Sequence, residues 1–301
     1  MPPVLITGCS GFLGGAVATS LSARGHPIIG VDPVEPKAPF ENFVRSDLSD
    51  VAQIEAVLRE FEIKHVVHAG GISGPMVFGD RPADTFRINV GGSLNLLLAA
   101  VSSGVESFVY CSSMVAGPAS ASAGLTEIEL AHSPYAYSKA AVDLVLCGLS
   151  GRVGTRLCSL RFGMIYGPGR VTLSGLDELL AAALEKKELV NTPTMSSFAI
   201  YIDDAVDVVA ASCFATGRQL VYNVAFPEQL TVLDARNAID CALNGVEPVL
   251  QYDATSEPAL HLDLDAVGRD FASSPKICLR EGVRRLVRAK VGGTPFMARS
   301  V

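Results

Sequence analysis

The chain has 301 residues, of which 49% are hydrophobic and 18% are charged. This length is enough for one large or two modest domains with a sizeable core, and the composition is typical of a compact globular protein. The formal net charge is −7, and the basic stretch Arg280–Lys290 alternates with apolar residues as a solvated helix face does, which argues against nucleic acid as a partner.

The cysteines and the apolar runs indicate a cytoplasmic protein. Seven cysteines are scattered without a C-x-x-C pair, which indicates reduced thiols and gives no support for a metal site. The strand pattern at Val4–Ile6 follows the first residues directly, so no signal peptide is expected. The longest apolar stretches, such as Leu96–Val101, are too short to span a bilayer.

Strand and helix patterns alternate along the chain. Short apolar runs predict strands, in chain order, at Val4–Thr7, Pro27–Val31, Lys64–His68, Ser107–Cys111, Thr155–Phe162 and Ala199–Ile202. Helical patterns predict helices at about Ala16–Ala23, Val51–Phe61, Pro82–Ser103, from Tyr135 onward, Leu176–Leu184 and Ala205–Phe214. This alternation predicts an α/β fold, a doubly wound parallel sheet with helices on both faces.

The regular alternation weakens beyond Gly163, which predicts a second domain. Residues 1–165, together with about 198–225, are predicted to form the parallel-sheet domain. Residues 166–197 and 226–301 are predicted to form a smaller, partly interleaved substrate-binding cap over the carboxyl edge of the sheet. Tyr166–Gly169 is expected to be a turn, and the tail from about Leu220 is expected to hold short strands and two helices.

Three glycines, Gly8, Gly11 and Gly14, follow the first predicted strand and open the first predicted helix. In a Rossmann fold, such glycines permit a tight turn, the approach of backbone to a pyrophosphate, and close packing of the helix on the strand. The helix N-terminus then presents free N–H groups to the phosphates. A glycine-rich turn without a ligand is the alternative interpretation.

Two acidic residues are candidates for binding the adenosine half of a dinucleotide. Asp32 ends the second predicted strand, where a carboxylate binds the ribose hydroxyls and repels a 2′-phosphate. This position favours NAD over NADP. Asp47 is a candidate acceptor for the adenine amino group, and the N-cap of the helix at Val51 is the alternative role for it.

Tyr135 and Lys139 stand four residues apart near the start of a predicted helix, and Ser112 and Ser113 precede them. Residues four apart lie on the same face of a helix. An ammonium group beside a phenol favours the phenolate and lowers the phenol pKa from its ordinary value near 10. The pair is therefore a candidate acid/base catalyst for an alcohol or a ketone, although the same spacing also occurs by chance on solvated helices.

Together these residues resemble an extended short-chain dehydrogenase/reductase of the NAD-dependent epimerase/dehydratase family. The resemblance runs the length of the chain, and no single motif is specific by itself. The matching pieces are Thr7-Gly8-x-x-Gly11-Phe12-Leu13-Gly14, Asp32, Asp47-Leu48, His68-Ala69-Gly70-Gly71, Asn89-Val90, Ser112-Ser113, Tyr135-x-x-x-Lys139, Tyr166-Gly167-Pro168-Gly169, Tyr201-x-Asp203-Asp204 and Leu262–Leu286.

The resemblance implies a role for each catalytic residue. Tyr135 would be the acid/base, and Lys139 would lower the pKa of Tyr135 and bind the nicotinamide ribose. Ser113 would hydrogen-bond the reacting oxygen, with Ser112 as a structural or cofactor-side neighbour. The implied cofactor-binding set is Gly8, Gly11, Phe12, Leu13, Gly14, Asp32, Asp47, Leu48, Ala69, Gly70, Gly71, Asn89, Ser112, Tyr135, Lys139, Phe162 and Gly163.

Three further residues have expected roles outside the chemistry. Asn89 would tie its helix to the neighbouring strand, which is a structural task. His65 and His68 are interpreted as ordinary strand residues without a catalytic part.

Two departures from the family pattern bear on the substrate. Members that act on nucleotide-sugars usually carry Asn where this chain has Met164, and Arg where it has Ser197. Without these groups a diphosphate loses an amide and a charged contact, worth several kcal/mol of binding. The segment after Ser113 also lacks the usual Val-Tyr-Gly ending. The candidate substrate contacts are Ser73, Ser113, Tyr135 and Met164, and a plain loop serine is the alternative for Ser73.

The helix from Tyr137 is apolar on nearly every side, so it is expected to be buried on all sides. The family resemblance implies that this helix and the helix Asn89–Ser103 pair with their copies in a homodimer. Burial inside a single chain is the alternative.

The sequence therefore predicts an NAD-dependent oxidoreductase. It would transfer a hydride between the nicotinamide and a carbinol or carbonyl carbon of a small polyhydroxylated substrate such as a sugar, sugar acid or polyol. A nucleotide-sugar epimerase or dehydratase with tightly bound NAD is the first alternative. A non-catalytic NAD-binding sensor is the alternative from another class.

Overall fold

The computed structural model describes residues 1–37, 40–73, 80–117, 133–187, 198–245 and 262–292. The strands are β1 Val4–Thr7, β2 Ile28–Asp32, β3 Asn42–Arg45, β4 His65–His68, β5 Ser107–Ser113, β6 Arg156–Phe162, β7 Met164–Tyr166, β8 Ala199–Tyr201 and β9 Val221–Val224. The helices are α1 Phe12–Ala23, α2 Val51–Glu60, α3 Pro82–Phe86, α4 Ser93–Ser102, α5 Pro134–Leu149, α6 Gly175–Glu185, α7 Ile202–Phe214, α8 Val232–Asn244, α9 Ala266–Phe271 and α10 Leu279–Gly292.

Seven parallel strands form the main sheet in the order β3-β2-β1-β4-β5-β6-β9. This confirms the predicted doubly wound α/β fold. Every residue of β1, β2 and β4 is buried, as expected for strands covered by helices on both faces. The strand order reverses between β1 and β4, so the loops after these two strands flank a topological switch point, where ligands bind in folds of this kind.

Most predicted elements are present, with differences at their ends. The first helix begins at Phe12, four residues before the predicted start, because the extended backbone of Gly11 forms its N-cap. The predicted helix Pro82–Ser103 is three segments, α3 and α4 with a π-helical turn between them at Arg87–Gly92. Strand β3 was missed, and its residues are half-buried or exposed rather than a continuous buried run.

The end of the chain also differs from the prediction. Tyr166 ends β7 instead of opening the predicted turn. Beyond Leu220 the described residues hold three helices rather than two, α8, α9 and α10. All seven cysteines are free thiols. None of the helices in the described part of the chain is long and apolar enough to cross a membrane.

The structure divides into two compact units. The sheet unit comprises Met1–Phe162, Ala205–Val224 and Leu262–Ser274, and the second unit comprises Gly163–Asp204, Ala225–His261 and Pro275–Val301. The sheet unit contains the seven-stranded sheet and a core built around Leu5, Ile29, Val66, Leu97 and Phe108. In the second unit, α8 packs against α6 and α10, and β7 pairs with β8. The predicted placement of a cap over the sheet edge stays a prediction.

Candidate active site

The turn after β1 is shaped by glycines that leave no room for a side chain. Gly8 has a φ of +71°, and a Cβ there would lie 2.6 Å from Gly70 Cα. A Cβ on Gly14 would lie 2.2 Å from the carbonyl oxygen of Gly8, so the first turn of α1 packs on the turn itself. No side chain caps α1 at Gly11, and its first turn carries no acidic residue. The N–H groups at this helix end therefore favour an anion.

Asp32 lies at the end of β2, where the prediction placed it. Its carboxylate accepts hydrogen bonds from Ser10 N at 3.2 Å and from Val34 N at 2.9 Å. These bonds fix the carboxylate next to the glycine turn, since Ser10 lies inside that turn. The side chain is buried, at 9% exposure.

Asp47 is not the N-cap of α2, so that alternative was wrong. The cap is Asp50, whose carboxylate accepts from Gln53 N at 3.0 Å. Asp47 accepts instead from Ser49 N at 2.8 Å, and its adenine-binding role stays a prediction. Leu48 follows, packed against the core, and its Cβ limits the space at Gly92.

The segment Ala69–Gly71 follows β4 and is held by Asn89. The Asn89 amide accepts from Ile72 N at 2.7 Å and donates to Ile72 O at 3.1 Å and Ser138 Oγ at 3.0 Å. Asn89 therefore ties this loop to α5, and the expected tie to a strand was wrong. Gly71 is required here because a Cβ would lie 2.8 Å from Asn89 Oδ1. Ser73 is exposed at the end of the described segment.

Tyr135 and Lys139 lie in the first turns of α5, as predicted. The helix begins with Ser133 as N-cap and Pro134 in its first turn. The Lys139 ammonium donates to Cys111 O at 2.9 Å and lies 5.9 Å from the centroid of the Tyr135 ring. Tyr135 is half-buried, and Lys139 is 7% exposed. Burial lowers the pKa of Lys139 to about 8, against the opposing effect of Asp143 and other neighbours.

The two serines at the end of β5 are in different environments. Ser112 is buried and donates to Asp143 Oδ2 at 3.1 Å, so its hydroxyl proton is already used in a hydrogen bond within the protein. Ser113 is half-buried, and its hydroxyl makes no hydrogen bond to any residue in the described ranges. Ser113 pairs in register with Phe162 of β6, which is buried.

Sequence reasoning missed a buried ion pair beside these residues. Arg161 Nε lies 2.6 Å from Asp143 Oδ2, and the two side chains are 10% and 2% exposed. A signal was present, because Asp143 is the one carboxylate of a mostly apolar helix and Arg161 stands between the apolar residues Leu160 and Phe162 of a buried strand. Neither residue type is buried in proteins without a partner.

His68 is bonded on both sides of its ring, as a structural residue is. Its Nδ1 lies 2.7 Å from Thr7 Oγ1, and its Nε2 lies 2.7 Å from Ser93 Oγ. Burial lowers the pKa of His68 to about 3, so the ring is neutral at pH 7. His65 is bonded similarly, with Nδ1 2.8 Å from Ser107 Oγ.

A family model, the NAD dependent epimerase/dehydratase family, matches residues 4–225, which is more than half of the chain. The chain belongs to this family. The resemblance to extended short-chain dehydrogenases/reductases is thereby confirmed, and so are the assignments of the chain as an enzyme and of NAD as its cofactor.

Relatives match along almost the whole chain. UDP-glucuronate 4-epimerase 2 of Arabidopsis thaliana is 24% identical, and the match covers 96% of this chain and 76% of that protein. UDP-glucose 4-epimerase of Mycolicibacterium smegmatis is 26% identical, and the match covers 94% of this chain and 96% of that protein. The crystal structure of Thermus thermophilus UDP-glucose 4-epimerase in complex with NAD has a TM-score of 0.78 and 27% identity, covering 97% of this chain and all of that one.

The residues of the sheet unit fit NAD. The space at Gly8 and Gly14 that a Cβ would fill, and the uncapped N-terminus of α1, suit a pyrophosphate. The fixed carboxylate of Asp32 suits ribose hydroxyls, and Phe12 and Leu13 follow the turn at the start of α1. The ammonium of Lys139 is buried in the same unit.

Two of the expected residues lie in the second unit. A Cβ on Gly163 would lie 2.7 Å from Phe198 O, so a glycine is required there by local packing. Met164 is half-buried in β7, and its N–H donates to Phe198 O at 2.9 Å. Ser197, the other departure from the nucleotide-sugar pattern, lies outside the described residues.

Proposed function

We propose that this enzyme carries out hydride transfer at a carbinol carbon of a sugar substrate, with Tyr135 as the acid/base. The observation that carries the proposal is the buried ammonium of Lys139. It donates a hydrogen bond to Cys111 O, and Lys139 lies on the same face of α5 as Tyr135. Charges in a poorly solvated site interact more strongly than in water. Lys139 therefore favours the phenolate form of Tyr135, which is the form that removes a proton.

Each residue then has one task. Tyr135 removes the proton of the substrate hydroxyl, and Ser113, whose hydroxyl has no partner among the described residues, orients the reacting oxygen. Bound NAD supplies the acceptor for the hydride. Asp32 and the glycine turn hold the adenosine and pyrophosphate portions, while Asn89 keeps the segment at Gly70 in shape.

The proposed substrate is a UDP-hexose or UDP-hexuronate. Support comes from the relatives, which are named as UDP-glucose and UDP-glucuronate 4-epimerases and match over 94% or more of this chain. In an epimerase the hydride returns to the same carbon and the proton to the oxygen on that carbon, so no NADH accumulates. The residues that select the substrate are proposed to come from residues 166–197 and 226–301.

A free sugar acid or polyol is the second candidate. Met164 favours it, because this half-buried apolar side chain stands where the nucleotide-sugar enzymes of the family resemblance carry an amide. A dehydrogenase of this kind would release NADH as a net product.

We also propose a homodimer through α4 and α5. The alternative, burial of α5 inside a single chain, was wrong, since Tyr137 is 40% exposed and Leu144 is 53% exposed. These two residues are seven apart and lie on one face of α5. Leu98 of α4 is 54% exposed as well. A contiguous exposed apolar patch marks an interaction site, and a second copy of this chain is the proposed occupant.

The test compares wild type with Tyr135→Phe and, as a matched control on the same helix, Tyr137→Phe. UDP-glucose and UDP-glucuronate are incubated with the enzyme and NAD, and the sugar products are separated. Sugar acids and polyols are assayed by NADH absorbance. We expect Tyr135→Phe to lose turnover while NAD binding by calorimetry is kept, and Tyr137→Phe to retain both.

The outcomes separate the candidates. An epimerised UDP-sugar without NADH supports the first candidate, and NADH formed from a free sugar acid supports the second. Near-normal turnover by Tyr135→Phe contradicts the mechanism. Binding of NAD without turnover of any compound in either panel favours the non-catalytic sensor.

A further inference from the structure

Asp143 receives hydrogen bonds from two strands of the sheet. Ser112 of β5 donates to Oδ2 at 3.1 Å. Ser159 and Arg161 of β6 donate to Oδ1 and Oδ2, each at 2.6 Å. Asp143 itself lies one helical turn after Lys139 and two turns after Tyr135. The carboxylate therefore fixes α5, and the two residues on it, against the ends of β5 and β6.

Arg161 extends the same connection to the segment that follows β5. While its Nε contacts Asp143, its Nη1 donates to the carbonyl oxygen of Gly117. Gly117 ends the short 3-10 turn Met114–Ala116 and has a φ of +105°. One guanidinium thus bridges α5 and the turn directly after Ser113. The planar fork of arginine can make both bonds at once, which a lysine cannot.

Stability alone is a weak reason for keeping such a pair. A buried ion pair costs desolvation that its attraction only partly offsets, and apolar residues of the same volume often do as well. Apolar contacts do not fix the relative orientation of the groups that make them. Hydrogen bonds to a carboxylate and a guanidinium fix angles as well as distances.

We propose that the Asp143–Arg161 pair positions the Ser112–Ser113 end of β5 relative to Tyr135 and Lys139. Both are positioning residues, because they act through Ser112, Gly117 and α5. The inference rests on the proposed function for its catalytic consequence. Its structural consequence, a fixed segment from Ser112 to Gly117, does not depend on the substrate.

The experiment compares Arg161→Gln with Arg156→Gln. Arg156 is a matched control, because it lies on the same strand and donates to Ser212 O and Cys213 O, away from α5. We expect both variants to lower the unfolding temperature. For Arg161→Gln we expect kcat to fall about 100-fold, the size that a misplacement of roughly 1 Å produces, with KM for NAD and sugar within about twofold. For Arg156→Gln we expect kcat within about twofold of wild type.

Hydrogen exchange supplies a readout that needs no substrate. Peptides covering residues 112–117 should exchange faster in Arg161→Gln and at the wild-type rate in Arg156→Gln. If Arg161→Gln does not fold, Asp143→Asn, which keeps the side-chain shape, is measured in the same way with the same expectation. Arg161→Lys keeps the charge but cannot make both hydrogen bonds at once, so its kcat should not return to the wild-type value.

The two proposals fail in different ways. If wild type turns over no sugar in the panel, the proposed function fails, and the exchange of residues 112–117 alone decides the positioning role. Wild-type kcat and wild-type exchange in Arg161→Gln would overturn the inference. An equal loss of kcat in Arg156→Gln would also overturn it, because the effect would then be one of general stability.

Discussion

The ammonium nitrogen of Lys139 lies 4.7 Å from the centroid of the Tyr110 ring, inside the sheet unit. The aromatic face and the Cys111 carbonyl oxygen are partners for a cation that water hardly reaches. Tyr110 is fully buried on β5, directly before Cys111. The charge that the proposed chemistry needs is therefore held against the sheet by packing and by one hydrogen bond.

Lys139 should impose a pH dependence on stability. Its pKa is about 8 in the folded chain and near 10.5 when unfolded, so between these values the unfolded chain holds the extra proton. The free energy of unfolding of wild type should therefore rise relative to that of Lys139→Met, by roughly 2 to 3 kcal/mol from pH 7 to pH 10. Urea unfolding at each pH measures this difference. A pH-independent difference between wild type and Lys139→Met would contradict the prediction.

His68 should also make the free energy of unfolding depend on pH, below neutral pH. Its pKa is about 3 when folded and near 6.5 when unfolded, so stability falls as pH drops below 6.5. The stability advantage of wild type over His68→Gln should shrink by about 2 kcal/mol between pH 7 and pH 5. Chemical unfolding at these two pH values tests this. An advantage that stays the same at the two pH values would contradict the prediction.

Gly14→Ala should impair both cofactor binding and folding. The new Cβ would meet the Gly8 carbonyl oxygen at 2.2 Å, which forces the glycine turn or α1 to move. We expect NAD affinity, measured by calorimetry, to fall at least tenfold and the unfolding temperature to drop. Gly154→Ala is the control, since a Cβ there meets no atom of the described structure within 4 Å. Unchanged NAD affinity in Gly14→Ala would show that the turn does not hold the pyrophosphate.

Introducing charge on α4 and α5 should separate the proposed dimer. The double variant Leu98→Glu with Leu144→Glu changes two side chains that are more than half exposed, so the folded single chain should tolerate it. We expect light scattering to give the mass of two chains for wild type and of one chain for the variant. Leu233→Glu, at a 66% exposed residue of α8, should leave the mass unchanged. A wild-type chain that is monomeric at high concentration would refute the proposal.

The parts of the site that could be predicted from sequence are local. The glycine turn, Asp32 at a strand end and the Tyr135–Lys139 spacing each depend on residues within one element or one turn. Backbone geometry alone places such residues, since strand ends share an edge and residues four apart share a helix face. The alternation of strands and helices is local in the same way, and it was enough to predict the parallel sheet.

The break in the predicted helix Pro82–Ser103 shows where local reasoning stops. Helical periodicity continues through the segment, yet Arg87–Gly92 forms a π-helical turn. Within it, Asn89 is bonded to Ile72 and Ser138, which are distant in sequence. Insertions of this kind in a helix occur mostly at functional sites, and nothing in the periodicity of the segment reports them.

The sequence by itself determined the family, the fold class and the residues of the proposed chemistry, because motifs and periodicity are properties of neighbouring residues. Only the tertiary structure decided which buried polar groups meet. Asp143 and Arg161 are 18 residues apart, and Thr7 and His68 are 61 apart. A polar group in the core takes whatever partner the packing of strands and helices brings within bonding distance, and that partner is fixed only when the chain has folded.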